Sequence, residues 1–290
     1  MSDSTFPYRI PSQGRLVKRE SSKSRPSETN DDSLMAQLQD EFSLISPKKN
    51  QYDYTGNCIH AVNGVELVTD SEGVAYWPTE DTLVVADLHL EKGSSFARRG
   101  MLIPPYDTKT TLRRFAKCID KWKPKRVIAL GDSFHDAQAS ERLSTDNFNL
   151  LQSLMKDRDW VWITGNHDPT PPVGLGGDVT DCLRQGSLVF LHEPQIDNHA
   201  GEIAGHLHPK ALLVRRGRHV RRSCFAADKK RMIMPSFGAY TGGLDIFDPA
   251  FDELFDGKKF HALMRGDDQV YRIPANELKN EPSRKYTEPK

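Results

Sequence analysis

The segment VVADLHL, residues 84–90, sets a carboxylate and an imidazole two positions apart at the end of an apolar run. On a strand, residues i and i+2 point to the same side. Asp87 and His89 are therefore expected side by side, and burying them is costly unless something pairs with them. The same pattern recurs along the chain. VIAL is followed by Gly131-Asp132, and VWIT by Gly165-Asn166-His167-Asp168. LVFL is followed by His192, and EIA by Gly205-His206-Leu207-His208. Five apolar runs thus end in carboxylate, amide or imidazole groups, with no thiol among them.

Oxygen and imidazole donors suit Mn, Fe, Zn or Mg/Ca mixtures better than copper(I) or an iron–sulfur cluster. The seven candidates (Asp87, His89, Asp132, Asn166, His192, His206 and His208) are too many for one catalytic zinc, which takes about three protein ligands. They fit two ions sharing a bridging carboxylate. Such ions, roughly 3.5 to 4 Å apart, clamp the attacking and leaving oxygens of an in-line phosphoryl displacement and acidify a water near neutral pH. Gly131, Gly165 and Gly205 each precede a candidate ligand. A residue without Cβ lets the chain turn sharply and lets a metal or phosphate approach the backbone. Alone, a DxH, a GD, a GNHD or a GHLH reads as a satisfied polar pair or a turn. All of them in order, each closing a β-like run, point to a dinuclear metal site.

Other charged groups surround these blocks. His135 and Asp136 follow in GDSFHD; they could contact substrate phosphate or the bridging water, or form a loop pair facing solvent. Lys92, Arg98 and Arg99 follow the first block and suit the non-attacked phosphate oxygens, arginine by bidentate contact. Their alternative is a solvated amphipathic face. RRGRHVRR, residues 215–222, holds five arginines, and KKR follows at 229–231. Arg215 and Arg218, with Arg221, are candidates for a nucleic-acid backbone. The rival reading is an edge strand guarded by charge. No aromatic residue is interleaved there, so base stacking on this segment is not expected.

Elements that could position these residues are visible in the apolar periodicity. IHAVNGVELV and VAYWP read as antiparallel strands around turns, and TLVVADLHL, KRVIALGD, DWVWITGNHD, SLVFLHE and EIAGHLHP as later strands. Leu112, Phe115, Ala116 and Ile119 are at helical spacing, as are Phe148, Leu151, Leu154 and Met155. This alternation predicts an α/β fold with βαβ units. The β-rich stretches ALLVRRG, HVRRSCFAAD and RMIMPSFG predict a mixed or second sheet. In an open α/β sheet a ligand sits outside the carboxyl ends of the strands, where all five blocks lie. Residues 1–50 are polar and are expected to be a disordered tail, with one short amphipathic helix over 34–45 as a linker or docking element. The domain is expected over 51–275, with a second polar tail at 276–290.

With 40 basic and 40 acidic residues among 290, net charge favours neither nucleic acid nor membrane. No run of 18 apolar residues occurs, the first residues lack an apolar secretory core, and acidic residues recur through the first 45 positions. Cys58, Cys118, Cys182 and Cys224 are far apart and read as free thiols. A cytoplasmic, membrane-free protein is expected.

The ordered blocks DLH, GD, GNHD, H and GHLH resemble the calcineurin-like metallophosphoesterase superfamily over roughly residues 57–250. DLHLEKGSSFARRG, PPYD, GDSFHD, GNHDP, GHLHP and PSFGAYTGG are similar to the bacterial ligase-associated DNA damage response endonucleases, the PdeM-type phosphoesterases. The long N-terminal tail departs from that compact pattern. The resemblance implies an αββα sandwich of mixed sheets flanked by helices. It implies one metal held by Asp87, His89 and His208, a second held by Asn166, His192 and His206, and Asp132 bridging both. His167 would assist the leaving group, an imidazole titrating near neutrality being suited to it. Asp168 would orient His167, or cap a turn. The implied cofactors are two divalent ions, manganese foremost, with iron, zinc or nickel also suited. The implied activity is a phosphodiesterase using metal-activated hydroxide, expected to be a DNA endonuclease in repair. The alternatives are a nucleotide-sized phosphodiester or phosphomonoester as substrate. Repair ligase, helicase or exonuclease partners come from the family resemblance alone.

Overall fold

The computed structural model describes residues 54–101, 104, 106–167, 174–196 and 200–280. The tail over 1–50, the helix expected at 34–45 and residues 281–290 lie outside them. Two mixed sheets pack face to face. The first has seven strands in the order β1 to β7: β1 Cys58–Val62, β2 Val65–Thr69, β3 Ala75–Trp77, β4 Thr82–Val85, β5 Arg126–Leu130, β6 Asp159–Ile163 and β7 Asp178–Thr180. β1 to β4 run antiparallel and β4 to β7 parallel. The β1–β2 hairpin turns on Asn63 and Gly64, both at positive φ, the pairing a two-residue hairpin needs.

The second sheet runs β15-β14-β12-β13-β10-β9-β8. Its strands are β8 Cys182–Gln185, β9 Leu188–Leu191, β10 Glu202–Ala204, β12 Arg218–Ala227, β13 Arg231–Ile233, β14 His261–Arg265 and β15 Val270–Pro274. β11, Lys210–Arg215, forms a hairpin with β12. The helices are α1 Lys92–Arg98, α2 Asp107–Trp122, α3 Ala139–Arg142 and α4 Thr145–Met155. The expected mixed α/β sandwich is what forms.

Hydrophobic burial explains the layering. β4, β5 and β6 read TLVV, RVIAL and DWVWI, near-continuous apolar runs suited to strands covered on both faces. Val84, Ala86, Ile128, Leu130 and Ile163 face Phe190, Ile203, Phe225 and Met232 between the sheets. On the outer face of the first sheet, Val127 and Trp160 meet Leu112, Phe115 and Ile119 of α2 and Leu151 and Leu154 of α4. The second sheet's outer face is covered by Ile246, Phe251, Leu254, Phe255 and Phe260. These come from a segment whose regular structure is one 3-10 turn, Pro249–Phe251. At the far end, Leu278 is buried and the Lys279 N–H donates to the Leu212 carbonyl at 3.0 Å. Among the described residues no helix is long and apolar enough to cross a membrane.

Candidate active site

β4 ends at Val85, two residues short of Asp87. The strand pleat therefore does not set Asp87 beside His89, contrary to the expectation from alternation. Both sit in a loop with left-handed backbone, φ 53° and 43°. Asp132 (44°), His206 (69°) and His208 (48°) adopt the same conformation. Non-glycine residues there are uncommon, and such strain, of order 1–3 kcal/mol each, persists only where the surroundings over-determine it. Hydrogen bonds between the loops do so. The His89 N–H donates to the Asp132 carbonyl, the Leu90 N–H to Ser133 and the His135 N–H back to Leu90, each at 2.9 Å. The Asp87 carbonyl accepts from the Gly238 N–H at 2.9 Å and from Ser236 Oγ at 3.0 Å. Its carboxylate accepts from the His206 N–H at 3.1 Å.

Two of the three glycines singled out in sequence have a steric reason to be glycine. A Cβ on Gly131 would stand 2.5 Å from the His192 ring, and one on Gly205 2.6 Å from Asp87 Oδ2. These glycines let the strand ends of the two sheets close on each other.

Six of the seven candidate ligands form two triads. Asp87, His89 and His208 bring one ligand atom each within 4.8 Å of one another, as do Asp132, His192 and His206. Asp132 faces both: Oδ1 lies 3.4 Å from His192 Nε2, and Oδ2 lies 3.9 Å from His89 Nε2. The His192 Nδ1–H donates to the Leu130 carbonyl at 2.9 Å. That turns Nε2 toward the site, the usual way an outer hydrogen bond orients a metal-binding imidazole. Both ring nitrogens of His89 and Nε2 of His208 are buried without a hydrogen bond, although His208 Nε2 is only 3.1 Å from Asp87 Oδ1. Buried polar atoms are rarely left unpaired. Unpaired nitrogens beside carboxylate oxygens form a donor set for a cation.

The electrostatics agree. Burial holds His89 down to about 3, against the pull of Asp87 and Asp132, and also lowers His206. Against burial, the bond to Asp132 and the Asp87 charge push His192 up to about 9. Asp132, also against burial, is held below the usual carboxylate range by His192 and the His167 N–H. Burial thus disfavours charge on His89 and His206, while Asp87 and Asp132 favour a positive charge between them, which a proton on His192 or a metal ion meets.

His167 follows β6 and is exposed. Its backbone N–H donates to Asp132 Oδ1 and its ring Nδ1–H to the His135 carbonyl, both at 2.9 Å. A carbonyl only accepts, so Nε2 is the nitrogen left facing Asp132 Oδ2, at 3.9 Å. The His135 ring stacks on His167 with centroids 5.4 Å apart. Burial, then Lys92 and His167, lowers His135 to about 4. Asn166 is exposed beside His167, and Asp168 lies outside the described residues.

The charged groups divide. Lys92 opens α1 close enough to Asp132 to feel its charge. Arg98 and Arg99 are exposed at the other end of that helix. Asp136 binds Arg142 Nη2 through both oxygens, at 2.9 and 2.8 Å, and Arg142 Nε donates to Ser94 Oγ at 2.9 Å. Asp136 therefore braces the loop that carries His135, a role that sequence reading missed along with Arg142 and the Ser236–Gly238 clamp. Arg215 and Arg218 pair across the tip of the β11–β12 hairpin. The cleft beside His208 is lined instead by Arg221 and Arg222.

Residues 81–226 match the calcineurin-like phosphoesterase family, and the chain belongs to that family. The matched span includes all seven candidate ligands. Among solved structures, the Pseudomonas putida nuclease MPE is similar with a TM-score of 0.58 at 26% identity, over 75% of this chain and 100% of that one. Yfce, a phosphoesterase from E. coli, has a TM-score of 0.35 at 13% identity, over 67% of this chain and 99% of that one. No curated protein sequence matches the chain. The protein is a hydrolase of phosphoester bonds, in a family that uses divalent metal ions and with two His/Asp groups that fit them.

Proposed function

We propose that the protein is a metal-dependent phosphodiesterase acting on DNA. The observation that carries this reading is the pair of adjacent triads, with Asp132 of the second 3.9 Å from His89 of the first and His167 Nε2 facing the Asp132 carboxylate. In this reading Asp87, His89 and His208 hold one ion, Asn166, His192 and His206 a second, and Asp132 both. Manganese leads, with iron, zinc and nickel compatible with the donors. Two ions there would polarise the phosphoryl group and acidify water near neutral pH. The chain's residues then divide the remaining work. His167, held through Nδ1, keeps Nε2 for the proton that the departing oxygen takes up. Lys92 contributes positive charge beside the reacting phosphate. DNA as substrate is supported by the 26% identity to a nuclease over 75% of the chain. Roles in repair, partners such as a ligase, helicase or exonuclease, and a cytoplasmic location belong to the same reading.

The test is a matrix of Mn²⁺, Mg²⁺, Zn²⁺ and Ni²⁺ against an aryl phosphodiester, an aryl phosphomonoester, and single- and double-stranded DNA. Metal-dependent cleavage of diester and DNA, reduced in His167→Ala, is the expected result. Turnover of small esters with DNA untouched in every metal would remove the nuclease reading and leave the two-metal chemistry.

A further inference from the structure

A cleft of about 350 Å³ opens beside His208, between β11–β12 on one side and the loop around 236–242 on the other. Five cationic side chains and no acidic one line it. Two are built into the wall: Arg114 bonds Glu72 and the Phe237 carbonyl, and Arg265 bonds the Ser71 carbonyl. Arg221 is exposed, and Arg222 is half-buried, 3.9 Å from Asp267 at the surface. Across from them stands Tyr240, 48% exposed. Its backbone is left-handed, φ 59°, and its hydroxyl donates to the Pro104 carbonyl at 3.4 Å. A bulky residue in that conformation is an outlier that invites a functional reading. Its ring adds little to the core, because it is presented to solvent. No aromatic residue is interleaved among the arginines of 215–222, and the nearby Phe225 is buried, but the fold supplies an exposed ring from a separate loop.

We propose that this cleft binds a single-stranded nucleic-acid segment leading away from the metal triads, with Tyr240 stacking on a base and Arg221 and Arg222 contacting backbone phosphates. A cationic groove with an exposed aromatic platform is how single strands are held with little sequence preference. A duplex keeps its base faces stacked inside and has none to offer Tyr240. The proposal rests on the nuclease reading and adds strand preference to it.

The test measures binding by fluorescence anisotropy. It uses the metal-loaded full chain and a labelled, hydrolysis-resistant phosphorothioate oligothymidylate, single-stranded or annealed to its complement. Wild type should bind the single strand more tightly. Tyr240→Ala should weaken that binding roughly 5- to 100-fold, and Tyr240→Trp should restore it. The double variant Arg221→Ala/Arg222→Ala should flatten the log-affinity against log-salt slope by about 1.4, at about 0.7 per charge. Lys125→Ala, ahead of β5 at the end away from Asp132, should leave the affinity unchanged. Equal metal content in all variants verifies that the triads are intact. Tyr240→Ala binding as wild type does, or wild type preferring duplex or failing to bind single strands, would overturn the proposal. Strands bound through Tyr240 but cut in no metal would sink the nuclease reading alone. Strands cut by an enzyme indifferent to Tyr240 and the arginines would sink the cleft alone.

Discussion

Asp132 offers one oxygen to His192 and the other to His89 and His167, and two of these neighbours are fixed by a bond on the far side of the ring. His192 is held by the Leu130 carbonyl and His167 by the His135 carbonyl. Those outer bonds decide which nitrogen faces the site. They also separate two roles that residue type alone leaves mixed: His192 belongs to a triad, whereas His167 belongs to neither. His167→Ala is therefore expected to retain both ions while kcat on an aryl phosphodiester falls about 10²- to 10⁴-fold. Metal analysis beside steady-state kinetics checks this. Loss of an ion along with activity would make His167 a ligand instead.

At the scale of elements, the site is a seam where loops from both sheets meet backbone to backbone. β4 and β5 deliver Asp87 and Asp132 from the first sheet, and β9 and β10 deliver His192 and His206 from the second. Space at the seam is limited by glycine. Gly205→Ala would push a Cβ to 2.6 Å from Asp87 Oδ2 and 3.1 Å from Ala86 Cβ. The expected outcome is reduced metal occupancy and a lower unfolding temperature. Gly242 has open space around an added Cβ and no positive φ, so Gly242→Ala should keep metal content and melting temperature. Metal content and thermal unfolding of the two variants decide the point; equal behaviour would mean that the seam relaxes around the extra methyl.

At the scale of the whole molecule, stability should depend on acid through groups outside the site. His60 on β1 and His261 on β14 lie 6.5 Å apart, ring to ring. The His60 Nε2–H donates to the Asp228 carbonyl at 2.7 Å, and burial lowers its pKa. Burial, then Arg272 and His60, bring His261 from 6.5 down to about 4. Both are bases with depressed folded-state pKa values, so between about pH 6.5 and 4 the unfolded chain binds more protons than the folded one. Stability is then lost as pH falls through that window and levels off below it. His261→Gln should lose less melting temperature between pH 7 and 4.5 than wild type, with the metal removed from both. An identical loss would place the acid sensitivity elsewhere.

By itself, the sequence was enough to single out the six His and Asp residues that the fold gathers into two triads, because metal-ligating chemistry depends on residue type and on position at strand ends, and both survive in a linear reading. Apolar runs and helical spacing likewise made the sheets and the two longer helices legible, since burial imposes those periods locally. Three features needed the tertiary structure. The left-handed loops at Asp87 and His89 replaced the strand alternation expected of them, because hydrogen bonds to the 131–135 loop and to 236–238 outweigh local preference. Asp136 took Arg142 as its partner, in a loop whose side-chain directions no period dictates. Tyr240 and the arginines of β12 share one cleft although they are separated in sequence, because the strand order of the second sheet and the hairpin that β11 makes with β12 decide which loops become neighbours.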